Sequence, residues 1–149
     1  MVKDMITIEG ARLAFRNFSG KEGKFNPPGK RNFCVLLDEN LAQSLQRYGW
    51  NVRWLNPREE GDRPQGYIQV SVVFENMPPK IVLISSRGKT VLTEEEVNIL
   101  DWAEIANVDL VIRPYNWEVN GKTGVKAYCK ALYVTIVTDI LEEKYSLYD

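Results

Sequence analysis

The sequence predicts a mainly β fold, an antiparallel barrel of five to seven strands with two short helices. Strand-like runs recur along the 149 residues, and turns rich in Gly, Pro and Asn separate them. Only two short segments carry helix signals, and they do not alternate with the strands as crossover helices do in a parallel sheet. The pattern therefore favours an antiparallel barrel.

Composition indicates one globular domain, which we expect to span residues 1–138, followed by an acidic C-terminal tail at 139–149. The chain is 44% hydrophobic and 26% charged, as expected for a protein with a real core. It has no apolar run of about 18 residues, which a membrane helix requires, and no secretion signal at its start. We expect a cytosolic protein whose cysteines, Cys34 and Cys129, are reduced core thiols.

The first strand is predicted to bend. Apolar residues alternate at Ile6 and Ile8 and resume at Leu13, but the parity changes around Gly10, which indicates a bulge. Residues 16–31 contain too much Gly and Pro for a strand interior and too many cations for a core. We interpret them as a long, mobile loop.

The middle of the chain begins with a short apolar strand at 33–37. Asp38 is a suitable N-cap for a helix at 39–48, which Gly49 ends. The inner face of this helix is predicted to comprise Leu41, Leu45 and Tyr48.

Three more strands are predicted at 51–55, 67–74 and 81–85. Trp50 and Trp54 are assigned to the core, with stacking on bases as the alternative. Thr93 then begins a second helix through a capping box with the glutamates that follow it. The residues predicted to pack that helix against the barrel are Val97, Leu100 and Trp102.

Residues 108–137 are predicted to form a β-hairpin with its turn at 120–124. Because side chains alternate along a strand, the first arm has a buried row of Val108, Leu110 and Ile112 and an opposite row of Arg113, Tyr115 and Trp117. On the return arm, Lys126, Tyr128 and Lys130 alternate with Val125, Ala127 and Cys129. The pairing register decides whether the two basic, aromatic rows share a face, since a slip of one residue moves a whole row.

Charge is strongly segregated despite a net charge of -1. Residues 16–31 have five basic residues and one acid, and 113–130 have four basic residues and one acid, whereas 94–109 have six acids and no base. Local potential rather than net charge steers association, so such a chain can attract a polyanion.

The two basic, aromatic regions form the candidate nucleic-acid-binding site. The hairpin contributes Arg113, Tyr115, Trp117, Lys122, Lys126, Tyr128 and Lys130. The loop contributes Arg16, Phe18, Lys21, Lys24, Phe25, Lys30 and Arg31. Bases of a single strand stack on aromatic rings at about 1 to 3 kcal/mol each, while cations track the phosphates. A helix just before the last hairpin is typical of the oligonucleotide-binding (OB) fold, in which the first loop and the last hairpin grip the ligand. We therefore expect the two regions to converge on one cationic trough.

Each region also has a purely structural interpretation. The hairpin rings would then cover an edge of the core while the lysines keep the protein soluble. Phe18 and Phe25 would anchor the loop to the barrel.

Several catalytic classes are disfavoured. The absence of histidine removes Ser-His triads and most catalytic zinc sites. The Gly-Lys-Thr triplets at 88–90 and 121–123 lack the earlier glycine of a phosphate loop. Asp101, Glu104 and Asp109 suit a divalent metal in a nuclease, but exposed helix charges and a strand-entry residue explain them better. We expect no enzymatic activity, no cofactor and no metal.

Five short segments resemble the small bacteriophage single-stranded DNA-binding proteins of OB fold: 8–20, 26–29, 31–33, 113–117 and 124–128. The resemblance implies that the protein coats displaced strands during phage DNA replication or recombination, in the cytoplasm of the host cell. Phage proteins of this type often end in an acidic tail with a terminal aromatic residue, whereas here Asp149 follows Tyr148.

The function predicted is largely sequence-independent binding of single-stranded DNA. The tail either binds replication or recombination proteins, occupies the basic cleft when no ligand is present, or is simply a packed or frayed terminus. The alternative function is a structural or protein-interaction module of a virion or replisome, since aromatic residues and Arg also dominate protein interfaces. Oligomerisation is compatible with either function.

Overall fold

The structure is a computed structural model that describes residues 2–137. The described chain contains nine strands, one α-helix and one 3-10 helix. Their bounds are β1 (Ile6–Ile8), β2 (Arg12–Asn17), β3 (Arg31–Leu37), α1 (Glu39–Arg47), β4 (Arg53–Leu55), β5 (Gln65–Val72), β6 (Lys80–Ser85), β7 (Gly88–Val91), the 3-10 helix (Val97–Asp101), β8 (Ile105–Val119) and β9 (Lys122–Ile136). The predicted tail, 139–149, lies outside the described residues. Between residues 2 and 137, no helix has the length and apolar character needed to cross a membrane.

All nine strands belong to one sheet, whose main path is β1-β8-β9-β5-β3-β2. β4 pairs with β5, while β6 pairs with β9 and carries β7. Most neighbours are antiparallel, but β5 and β6 both run parallel to β9. The mainly β class is confirmed, with more strands than the five to seven predicted and with two parallel pairs. The path does not close by hydrogen bonds, because its two end strands, β1 and β2, do not pair with each other.

The predicted bend of the first strand lies between β1 and β2. Gly10 has a φ of +62°, a conformation that glycine adopts without strain. Its N–H donates to Asp109 Oδ1 at 3.1 Å, and the Ala11 N–H donates to Val108 O at 2.7 Å. One bent segment therefore pairs with β8 on one side and with β3 on the other.

Helix α1 begins where the sequence predicts. The carboxylate of Asp38 accepts a hydrogen bond from the Leu41 N–H at 2.7 Å, and Leu45 is buried. The prediction that Tyr48 packs inward is wrong. The helix ends at Arg47, Tyr48 is its C-cap, and the tyrosine side chain is 67% exposed.

The second helix is a 3-10 helix. Only one half of the predicted capping box forms: the Glu96 carboxylate accepts from the Thr93 N–H at 3.0 Å, but the Thr93 hydroxyl donates to the same carboxylate at 2.9 Å instead of accepting from the Glu96 N–H. These two bonds lower the pKa of Glu96. Val97 and Leu100 are buried, but Trp102 is 64% exposed, so its predicted packing is wrong. With three residues per turn, positions 97 and 100 share a face that position 102 does not.

The hairpin turn is tighter than predicted and consists of Asn120 and Gly121. Both have positive φ, at 51° and 78°, as a type I′ turn requires. The register pairs Arg113 with Tyr128 and places the two basic, aromatic rows on one face. Further from the turn, β9 has a bulge of one residue, so Lys130 has no partner on β8 at that point.

The core lies on the opposite side of these strands. Val125, Ala127 and Cys129 are buried there, as the alternating pattern predicts. Trp50 is also buried, with 4% exposure, whereas Trp54 is only partly buried. Cys34 and Cys129 are free, buried thiols.

Candidate nucleic-acid interface

The basic, aromatic side of the hairpin continues across the neighbouring strands. Residues directly opposite one another in a sheet point to the same side. A line of such partners crosses five strands, from Arg113 on β8 through Tyr128, Ser71 and Asn32 to Asn17 on β2. We call this surface the sheet face. Its residues are Arg12, Ala14, Asn17, Asn32, Cys34, Leu36, Arg53, Tyr67, Gln69, Ser71, Arg113, Tyr115, Trp117, Lys126 and Tyr128.

Tyr128 is the centre of a cluster of cations and rings on the sheet face. The Arg113 guanidinium carbon lies 5.2 Å from the centroid of the Tyr128 ring, and Lys126 Nζ lies 5.1 Å from it. The Tyr115 ring meets Tyr128 edge-on, with 5.8 Å between centroids and 87° between planes. Since Tyr115 is 51% exposed, the cluster offers solvent an aromatic surface beside two positive charges.

Trp117 lies further towards the hairpin tip and is 37% exposed. It faces Gly124 across the strands, and a Cβ at position 124 would overlap the indole. The absence of a side chain at Gly124 thus lets the Trp117 ring lie against the backbone of β9. Lys122 is exposed beside the turn.

The sheet face includes residues that the sequence predictions missed. Tyr67 and Gln69 lie on the strand predicted at 67–74 but were not among the candidate site residues, and Arg53 is the register partner of Tyr67. Phe15 is 63% exposed, and its ring centroid lies 6.2 Å from that of Tyr67. Period-two alternation along 67–74 was the signal that could have identified the two β5 residues.

The charge of the sheet face is positive throughout. Its charged residues are Arg12, Arg53, Arg113 and Lys126, and none of the sheet-face residues defined above is a carboxylate. Burial raises the pKa of the Cys34 thiol, and the charge of Arg53, which lies beside Tyr67 in the register, offsets part of that rise. A polyanion therefore meets cations at both sides of the surface.

The predicted loop between β2 and β3 is folded onto itself. The Asn26 side-chain amide donates to the carbonyl oxygens of Lys21, Pro27 and Lys30 at 2.9 to 3.1 Å. Asn32 in turn donates to Asn26 Oδ1 at 2.8 Å. These bonds define the path of the loop in the structure.

Two predicted binding residues of the loop are structural. Phe18 is fully buried and stacks on Phe33, with 5.1 Å between ring centroids, so its predicted role in stacking on bases is wrong and the anchoring alternative is correct. Arg16 donates from Nη1 to the carbonyl oxygens of Leu100 and Ala103, both at 2.9 Å. Both residues fasten the start of the loop to the protein.

Other loop residues remain on the surface. Lys21, Lys24, Phe25 and Lys30 are exposed, and the exposure of Phe25 reaches 92%. Lys21 Nζ lies 5.2 Å from the centroid of Trp102, so an exposed ring that the sequence predictions had assigned to the core stands beside a loop cation. Arg31 is partly buried and pairs with Glu94 at 3.2 Å.

The loop and the hairpin tip lie towards opposite ends of the sheet face, so the expected convergence of the two regions is wrong. The loop precedes Arg31, which pairs with Val72 at the end of β5. Because β9 runs parallel to β5, its residues nearest the turn lie towards the start of β5. Only the base of the hairpin, at Arg113 and Tyr128, shares a cross-strand line with the root of the loop.

The carboxylates considered as metal ligands hold the backbone instead. Asp101 accepts from the N–H groups of Phe18 and Ser19, at 2.6 and 3.1 Å, and from the Ser19 hydroxyl at 2.6 Å. Asp109 accepts from Gly10 at the strand bend. Among residues 2–137, no group of three or more potential ligands is positioned to hold a metal ion.

Comparisons with known proteins identify the family of the chain. A sequence model of the phage ssDNA-binding domain family matches residues 1–148. A search of curated proteins gives no match.

Solved structures of a single-stranded DNA-binding protein from bacteriophage Enc34 are similar in fold. The protein itself has 12% identity and a TM-score of 0.55, over 97% of this chain and 90% of that chain. Its C-terminal truncation has 11% identity and a TM-score of 0.55, over 91% and 87% of the two chains. Its complex with ssDNA has 13% identity and a TM-score of 0.54, over 91% and 88%.

Proposed function

Because the chain belongs to the phage ssDNA-binding domain family, we propose that it binds single-stranded DNA on the sheet face. The observation that carries this location is the cluster around Tyr128, in which two cations flank one ring and a second, exposed ring adjoins it. Bases stack on Tyr115, Trp117 and Tyr128, and phosphates lie near Arg113 and Lys126.

The loop provides a second set of contacts at the far end of the same face. The DNA strand contacts the exposed residues of the loop where it extends beyond the line of register partners. These residues are Lys21, Lys24, Phe25 and Lys30. Lys122 contacts the DNA beside the hairpin turn, and Lys130 contacts it beyond Tyr128. Binding is largely independent of sequence, because stacking on rings and attraction to phosphate are available to every nucleotide.

The proposed role is to coat single strands exposed during phage DNA replication or recombination, in the host cytoplasm and without catalysis. The acidic segment 139–149 is proposed to bind other replication or recombination proteins. Deleting it should leave binding of short oligonucleotides in place and abolish capture of those proteins from infected-cell extract.

A fluorescence titration with oligo-dT at two salt concentrations tests the proposed function. Stacking on Trp117 should quench tryptophan emission, and affinity should fall as salt rises, because bound cations displace counterions from the DNA. Absence of both quenching and binding at low salt would refute it.

Paired lysine variants test the location. Lys126→Ala should remove one phosphate contact and so reduce the magnitude of the slope of log affinity against log salt by about 1. Lys89→Ala removes an exposed lysine of β7, outside the sheet face, and should leave the slope unchanged. Equal slopes for both variants would place the DNA elsewhere.

A further inference from the structure

A notch interrupts the sheet face between β4 and β9. β4 pairs with β5 only from Gln65 to Tyr67, and β9 pairs with it only at Val70 and Ser71. Neither strand pairs with β5 at residues 68–69. The edge of β5 is therefore open at this point, in the middle of the proposed DNA-binding surface.

The notch is a cavity of about 160 Å³ with an apolar floor and a polar rim. Trp50 and Ile68 contribute to the floor, and both are buried. Asn51, Gln69, Ser71 and Lys126 form the rim, and Trp117 forms one wall. Within the described chain, the side chains of Asn51, Gln69 and Ser71 make no hydrogen bond to the protein, so their donors and acceptors remain available.

The size of the cavity selects the group that it can hold. A protein cavity of about 150 Å³ accommodates one benzene molecule. A single six-membered ring therefore fits this notch, whereas the fused second ring of a purine exceeds it. Amide and hydroxyl groups at the rim suit the hydrogen-bonding edge of a nucleobase.

We propose that the notch binds one pyrimidine base of the DNA strand, and that this base stacks on Trp117 and bonds to the amides of Gln69 and Asn51. The inference rests on the proposed function and adds to it a single position that prefers pyrimidines. Asparagine and glutamine amides each present a donor and an acceptor, so the notch accepts thymine and cytosine alike. Binding elsewhere on the sheet face stays indifferent to sequence.

The test compares oligo-dT, oligo-dC and oligo-dA of equal length on the wild type and on Gln69→Leu, which keeps the side-chain size and removes the amide. The wild type should bind either pyrimidine oligomer about tenfold more tightly than oligo-dA, the discrimination of one bidentate amide-to-base contact. Gln69→Leu should lose most of that ratio by weakening pyrimidine binding alone. Asn51→Ala should shift the ratio in the same direction and provides a second variant.

Arg12→Ala is the matched control, because it removes a sheet-face cation away from the notch. It should weaken binding of all three oligomers equally and keep the ratio. The self-stacking of oligo-dA affects every variant alike and cancels in the comparison. An unchanged ratio in Gln69→Leu and Asn51→Ala overturns the pyrimidine site while leaving DNA binding intact, whereas failure of the wild type to bind any oligomer overturns the proposed function instead.

Discussion

Arg113 and Tyr128 face each other across β8 and β9, with the guanidinium carbon 5.2 Å from the ring centroid. The guanidinium lies within the distance at which a cation is attracted to a ring. Lys126 holds a second charge at 5.1 Å from the same centroid. A base that stacks beside Tyr128 therefore brings its phosphate close to two positive groups.

Tyr128→Ala should weaken oligo-dT binding by about 1 to 3 kcal/mol, the contribution of one stacked base. Tyr128→Phe keeps the ring and should bind nearly as well as the wild type. Fluorescence titration measures both affinities. Tyr133→Ala, which truncates another partly buried tyrosine of β9, is the control for stability and should bind normally once folded. Equal binding by the Tyr128 and Tyr133 alanine variants would contradict the role of the cluster.

Trp117→Ala should weaken binding by about 1 to 3 kcal/mol while the protein remains folded, because the indole is a surface ring on the hairpin. Gly124→Ala should act in the same direction while leaving Trp117 itself unchanged, since the new methyl group displaces the indole from the backbone of β9. A shift in tryptophan emission reports the displacement. Gly23→Ala, where the nearest side-chain atom is 4.0 Å away, is the control and should leave emission and binding unchanged.

Phe18→Ala and Phe25→Ala should separate anchoring from binding in the loop. Phe18 is fully buried, so its truncation should lower the free energy of unfolding by about 3 to 5 kcal/mol. Phe25 is 92% exposed, so its truncation should leave stability unchanged and weaken DNA binding. Urea denaturation and oligo-dT titration provide the two measurements. A loss of stability in Phe25→Ala would show that this ring also anchors the loop.

Stability should decline at alkaline pH through Cys129. Burial raises the pKa of this thiol from 9.0 to about 12. The folded state thus favours the neutral thiol, and the stability that this contributes is complete below pH 9 and is lost as pH rises towards about 12. Urea denaturation across this range should show a steeper fall in stability for the wild type than for Cys129→Ala, which lacks this thiol. Parallel curves for the two proteins would argue against the shift.

Local patterns predicted most of the elements correctly. Asp38 capped its helix, Gly10 bent the first strand, and the alternation at 125–129 identified the core side, because each depends on neighbouring residues alone. The predicted secondary structure was wrong where the helix type decided the direction of a side chain, as at Trp102. β7 was missed because four exposed residues after a turn show no apolar alternation.

The candidate site was predicted less completely, because it depends on contacts between distant strands. The hairpin residues were identified from their own alternation, but Arg12, Arg53 and Tyr67 join them only through the pairing of β2, β3, β4 and β5. Phe18 was misassigned because a phenylalanine among cations looks the same in sequence whether it is exposed or lies on Phe33. The relative positions of loop and hairpin follow from the parallel pairing of β5 with β9, which no local pattern encodes.

The line of register partners from Asn17 to Arg113 also bears on how many copies a phage would need to make. Five adjacent strands span about 19 Å at an inter-strand spacing of about 4.8 Å. At a stacked rise of about 3.4 Å per nucleotide, that width accommodates roughly six nucleotides. Full coverage of a long displaced strand would then require one polypeptide for every half-dozen nucleotides, so the number of copies needed would grow in proportion to the length of exposed DNA.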